Sequence, residues 1–268
     1  MARANRHYIP GYVWHITHRC HKKELLLKFV RDRKRWIHWL FVAKKQFNLS
    51  VLNYMVTSNH IHLLVYDNSG RDVIPKSMQL IAARTAQEYN TRKQRKGAFW
   101  EDRYHATAIE KNSHLNRCLV YIDLNMVRAG EVDHPKMWPF CGYNEIQNPP
   151  RRYRIIDLDN LVRLMGFTDL HNFQSAHKSW IDASLRVDER ERERQWTESI
   201  AVGSKSYIEK VKKSLGFKAK GRSIKGSKEH YRLRENVSNF GNHSLHPARP
   251  DAGADSERIN TFSWDDNS

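Results

Sequence analysis

Leu52-Asn53-Tyr54-Met55-Val56-Thr57-Ser58-Asn59-His60-Ile61-His62-Leu63-Leu64-Val65-Tyr66 reads as two short strands, because β-branched and aromatic residues flank a polar break at Thr57-Ser58-Asn59. Side chains alternate across a strand. His60 and His62 therefore share one face, and Ile61 points away into the core. Two imidazoles on one face of a rigid strand are half of a divalent-metal site. They are equally what a half-exposed strand with two histidines would carry, so the rest of the chain has to decide.

Upstream, Tyr12–Arg19 alternates and is rich in β-formers, which predicts a first strand. Val30–Phe47 places Val30, Ile37, Leu40, Phe41 and Phe47 at helical spacing. Downstream, Ile74–Arg92 reads as a second helix with Met78, Ile81, Thr85 and Tyr89 on one stripe. Phe99–Glu110 reads as one or two strands. A third helix, capped by Asn112 or Ser113, is expected to run to about Ala129, with Gly130 as its stop. This order predicts an α+β fold close to a ferredoxin-like split βαβ, with a central antiparallel sheet and helices on one side. Pro149-Pro150 and the basic Arg151–Arg154 cluster suggest a boundary. The expected organisation is a domain over 1–148, a small helical C-terminal region over 149–216, and a disordered tail over 217–268. The helical region draws on Asp157–Met165 and His177–Leu185, followed by a mixed-charge run, Arg186–Arg194, that reads as a solvated face. The tail is polar and lacks apolar periodicity.

The 268 residues carry 46 Lys+Arg against 29 Asp+Glu, a formal charge of +17 and a pI near 9.9. Such an excess points to a polyanion, most simply nucleic acid. Eight Trp, 11 Tyr and 10 Phe add rings on which bases stack. Cys20, Cys118 and Cys141 are odd in number and widely spaced, which fits a reducing cytoplasm. The N-terminus MARANRHYIP lacks an apolar signal region. No apolar run approaches the roughly 18–20 residues that span a membrane, so no membrane partner is expected.

The third helix carries Tyr121-Ile122-Asp123-Leu124-Asn125, in which Tyr121 and Asn125 are four apart and project from one face. They could meet the two histidines if the helix packs near the strand, or Tyr121 could simply rim the core beside a surface asparagine. The surrounding motifs add more. They are Tyr12-Val13-Trp14-His15-Ile16-Thr17-His18-Arg19, Tyr54–Leu64, Gly97-Ala98-Phe99-Trp100-Glu101-Asp102-Arg103-Tyr104, Tyr121–Gly130 with its Val127-Arg128-Ala129-Gly130 ending, and Trp138-Pro139-Phe140-Cys141-Gly142-Tyr143. In this order, over about residues 5–146, they resemble the HUH single-tyrosine transposases, and most of all the REP-associated tyrosine transposases. Met126 departs from a proline that often follows the asparagine.

The resemblance implies the HUH endonuclease fold. It implies that His60, His62 and Asn125 hold Mg²⁺ or Mn²⁺, and that Tyr121 attacks the scissile phosphodiester of single-stranded DNA. The products would be a 5′-phosphotyrosine and a free 3′-OH, and a second 3′-OH would rejoin the strand. The implied partners are single-stranded DNA hairpins or palindromic repeats, handled in the bacterial cytoplasm at the nucleoid. Either one chain or a homodimer with sites shared between chains would serve. Asp123 and Glu101 are minor candidates for an outer carboxylate.

Expected DNA contacts are Arg33, Arg35, Lys44 and Lys45 on the first helix, then Arg92, Lys93, Arg95 and Lys96, with Arg3, Asn5 and Arg6 ahead of the first strand. Solvated helix faces would look the same. Two rivals compete: a basic nucleic-acid-binding module without catalysis, and a metal-free two-histidine phosphoesterase built on the H-x-T triplets at His15 and His105. A zinc site from His15, His18, Cys20 and His21 fails on alternation, because His15 and His21 face away from His18 and Cys20.

Overall fold

The computed structural model describes residues 10–68, 72–187, 193–219, 221–227 and 230–235, all within one unit, Met1–Asn236. β1 (Val13–Arg19) leads to α1 (Val30–Phe47), then to the hairpin β2 (Ser50–Val56) and β3 (His60–Tyr66), as the alternation predicts. α2 (Val73–Arg92), β4 (His105–Ile109) and α3 (Ser113–Asp123) follow. β1 lies between β3 and β4 and is antiparallel to both, which gives the α+β class with its central antiparallel sheet.

Directly opposed residues of an antiparallel pair point the same way. His15 opposes Leu64 and Thr107, Thr17 opposes His62 and His105, and Arg19 opposes His60. One face of the sheet therefore gathers His15, Thr17, His60, His62, His105 and Thr107. On the other face His18 stacks on Trp100 at 4.1 Å, and Trp100 Nε1 donates to Ala82 O of α2. α2 and its neighbour α1 cover that side. α3 covers the polar face, where the Tyr121 ring lies 5.9 Å from that of His62. Helices thus lie on both sides, not one as expected. The apolar stripe of α3 (Leu115, Leu119, Ile122) needs a sheet face to bury against, and the first is already taken.

The third helix is interrupted. α3 ends at Asp123, and a short α4 (Asn125–Arg128) begins after Leu124, with Gly130 at φ +73° as the stop. Arg128 Nη2 donates to Tyr121 O at 2.5 Å across the break. No proline is needed for the interruption.

The C-terminal half differs more. α5 (Gly142–Gln147), α6 (Leu158–Leu164) and α7 (Leu170–Val187) include the expected helices. After α8 (Gln195–Glu198), however, β5 (Ala201–Gly203) pairs in parallel with β4. α9 (Lys205–Leu215) then leads to β6 (Arg222–Ser227) and β7 (His230–Glu235), and the sheet has seven strands in the order β2-β3-β1-β4-β5-β7-β6. The region over 149–216 is therefore not wholly helical, since it contains β5, and β6 and β7 fall within the stretch expected to be a disordered tail. Among the described side chains of β7 only Leu233 is buried, so its alternation is too weak to read, and pairing with β5 and β6 stabilises it instead. The remainder of the expected tail, 236–268, and residues 188–192 of the charge run lie outside the described residues.

Candidate active site

β3 sets His60 and His62 on one face and buries Ile61 on the other. His60 Nδ1 lies 2.7 Å from Asn59 Oδ1 and 2.9 Å from Thr57 Oγ1, whose own hydrogen goes to His60 O. The proton of His60 therefore sits on Nδ1, which makes Nε2 the lone-pair nitrogen. His62 is buried. Its Nδ1 lies 2.9 Å from His15 Nε2, and the two rings stack at 5.1 Å. Its Nε2 lies 3.1 Å from Asn125 Nδ2. His15 Nδ1 donates to Trp196 O at 2.9 Å. Desolvation by full burial pushes the His15 imidazole down to about 3, with His105 and His60 adding to the shift and the Trp196 carbonyl opposing it. His15 is neutral at neutral pH.

Tyr121 reaches the same place from α3. Its ring lies 6.2 Å from His15 and 6.2 Å from Trp196, and Arg128 Cζ stands 4.2 Å over it. Burial pushes the Arg128 guanidinium below its usual value, and the neighbouring Tyr121 opposes that shift. A pocket of about 810 Å³ is lined by His60, His62, Tyr121, Asn125 and Arg128, together with Arg19, Glu101, Asp102, Arg103, Thr197 and Glu198. The break after α3 does not separate Tyr121 from Asn125, and both face this pocket. All four expected site residues converge within one chain.

The donor set fits a divalent cation. His60 and His62 each present Nε2. The two ends of the Asn125 carboxamide exchange by a half-turn, which brings Oδ1 where Nδ2 now points. Three neutral ligands leave the charge of a cation available to phosphate oxygens. Of the two minor carboxylates, Glu101 lines the pocket. Asp123 does not: it is wholly buried, accepting from Asn53 Nδ2 at 2.9 Å and from His177 Nε2 at 2.8 Å.

Residues 10–125 match the family described as transposase, IS200-like, a span that contains His60, His62, Tyr121 and Asn125. This segment, a little under half of the chain, is similar to the IS200-like transposases. Among solved structures, a REP-associated tyrosine transposase bound to a REP hairpin is 20% identical, with a TM-score of 0.46, covering 54% of this chain and 84% of that one. A protein of Deinococcus radiodurans R1, provisionally described as a transposase, is 14% identical, with a TM-score of 0.33, covering 48% of this chain and 97% of that one. No curated protein matches the chain.

The H-x-T rival is not favoured by the geometry of the site. His15 is fully buried with both ring nitrogens engaged, and His105 Nε2 donates to Ser199 O at 2.9 Å. His105 lines the pocket but His15 does not, so the two imidazoles do not face a common substrate there. No helix among the described residues is long and apolar enough to cross a membrane.

The basic residues divide. Arg33 leaves the expected DNA-contact set: it is buried, it donates to Ser58 Oγ, and its guanidinium sits 4.6 Å over Trp138. Arg35 pairs with both oxygens of Glu88, Arg92 pairs with Asp32, and Arg95 braces the turn through Asn90 Oδ1 and Ala98 O. Lys44 donates to Arg154 O. Lys45, Lys93 and Lys96 are exposed. Arg3, Asn5 and Arg6 lie outside the described residues.

Sequence reasoning missed His15, Arg128 and Trp196 as parts of the site. Strand alternation could have placed His15 on the His62 face, and the Val127–Gly130 motif contained Arg128. Nothing in the sequence pointed to Trp196, because its contribution is a backbone carbonyl.

Proposed function

We propose that the protein cleaves and rejoins single-stranded DNA next to hairpins or palindromic repeats, using Tyr121 as nucleophile and a divalent cation, Mg²⁺ or Mn²⁺. The convergence of Tyr121, His60, His62 and Asn125 on one pocket carries this reading. A cation held by His60, His62 and Asn125 supplies Lewis-acid polarisation of the scissile phosphate. Tyr121 Oη forms the new bond to phosphorus as the bond to O3′ breaks. The phenol gives up its proton, and the departing oxygen becomes a 3′-OH. The 5′-phosphotyrosine conserves the phosphoester for the return step. A free phenol titrates near 10, so it needs help at neutral pH. The Arg128 guanidinium places positive charge beside the ring where negative charge grows. With Tyr121, His60, His62 and Asn125 lining one pocket of a single chain, a monomer would suffice for a single cleavage.

Incubation with labelled single-stranded hairpins should give a covalent protein–DNA adduct on a denaturing gel with Mn²⁺ and none with chelator. Cleavage that survives chelator overturns the reading.

The basic surface gives a second expectation. Replacing Lys45, Lys93 and Lys96 together by Gln should weaken hairpin binding and flatten its salt dependence, with no change in melting temperature. For the unmodified protein, binding should fall at least tenfold between about 50 and 200 mM salt. Salt-independent affinity would remove the phosphate contacts from the reading.

A further inference from the structure

We propose that His15 is a positioning residue that fixes His62 as the tautomer with its proton on Nδ1, turning Nε2 toward the Tyr121 pocket. The proposal rests on the reading of His62 as a metal ligand.

The direction of each hydrogen bond follows from one atom that has no choice. Trp196 O is a carbonyl and can only accept, so the proton in its 2.9 Å contact belongs to His15 Nδ1. A neutral imidazole carries one N–H, and His15 Nε2 is therefore an acceptor. The 2.9 Å contact between His15 Nε2 and His62 Nδ1 then requires the proton of His62 on Nδ1. On the far side Asn125 Nδ2 stands 3.1 Å from His62 Nε2, but the carboxamide can turn by half a turn, so the choice of tautomer rests on the His15 side. Contacts from β1 and α8 thus select one tautomer. Reversing either would put a proton on Nε2 and close that nitrogen to a cation.

Packing alone does not account for His15. It is wholly buried, and a leucine would fill such a position on β1 without leaving polar atoms to satisfy. The anchoring carbonyl is itself braced. Thr107 Oγ1 lies 3.2 Å from Trp196 O and donates to Ser199 O at 2.6 Å, and His105 Nε2 also reaches Ser199 O. Trp196 and Ser199 lie beyond residues 10–125, so a segment outside the transposase family match sets the state of a ligand inside it. Groups behind a metal-bound histidine that accept its second N–H commonly tune affinity in this way.

The test uses the full chain, ¹⁵N-labelled on histidine and freed of metal by chelator, at neutral pH. Two-bond ¹⁵N–¹H correlation reads the tautomer of His62, assigned by the signal lost in His62→Gln. The expected pattern is protonated Nδ1 and unprotonated Nε2. In His15→Leu the pattern should average between tautomers, and Mn²⁺ affinity, read by electron paramagnetic resonance of the free ion, should fall about 10- to 100-fold. His15→Gln, whose amide oxygen can accept where Nε2 did, should restore most of that affinity. A wild-type His62 protonated on Nε2 overturns the proposal, as does unchanged Mn²⁺ affinity in a folded His15→Leu. If His15→Leu does not fold, the wild-type tautomer decides alone. A wild-type protein that binds no Mn²⁺ overturns the metal reading, and the positioning role with it, whatever the tautomer.

Discussion

Tyr121→Phe should abolish the covalent protein–DNA adduct and lower strand cleavage by on the order of 10⁴-fold or more, as expected for loss of a nucleophile. The fold should survive. The ring is held by its contacts with His62, Trp196 and the Arg128 guanidinium, and phenylalanine keeps all of that volume. Only Oη is lost, together with its hydrogen bond to Arg128. One such bond contributes about 1 kcal/mol, so the melting temperature should drop by only about 2–4 °C. Hairpin binding and Mn²⁺ affinity should be unchanged, since neither uses the phenol oxygen. An adduct that persists in this variant would move the nucleophile to another residue.

Asp123→Leu should be the most destabilising single change near the site. Asp123 and His177 are both fully buried and bonded to each other. Asn53 donates to the other carboxylate oxygen, and Gln147 Nε2 lies 3.1 Å from His177 Nδ1. The network ties α3, two residues beyond Tyr121, to β2, α5 and α7. Removing one partner leaves the other buried and unsatisfied, which costs about 3–5 kcal/mol. That corresponds to a fall of roughly 10 °C in melting temperature for a chain of this size. The double variant Asp123→Leu/His177→Leu should lose less than the sum of the two single changes, because neither orphan remains. A thermal melt of the three variants checks this. A drop of only a degree or two in Asp123→Leu would show that water or rearrangement satisfies His177.

The parts of the site that were legible in the sequence depend on short-range pattern. His60 and His62 share a face because strand alternation is local, and α1 matches its expected span because its apolar spacing is local. Tyr121 and Asn125 reach the same pocket, although the helix that carries them breaks at Leu124. The parts that were not legible depend on partners distant in sequence. Asp123 sits two residues from Tyr121 in the chain and looked like an outer carboxylate, but its partner His177 is on α7. Arg33 looked like a surface cation because its helix is basic, and only the fold brings Trp138 and Phe140 beneath it. The β6–β7 hairpin carried too little apolar alternation to register, and it exists because β5 offers it an edge.

The parallel pairing of β5 with β4 also has a temporal consequence. A ribosome delivers the chain from its N-terminus, and the early part of a protein folds first. His60, His62, Tyr121 and Asn125 emerge long before Trp196 and Ser199, whose carbonyls fix His15, Thr107 and His105. A nascent chain therefore carries all four residues of the proposed site before it carries the carbonyls that brace His15, Thr107 and His105. On the proposed function, a product terminated before Trp196 should carry the site residues unaligned and cut DNA poorly.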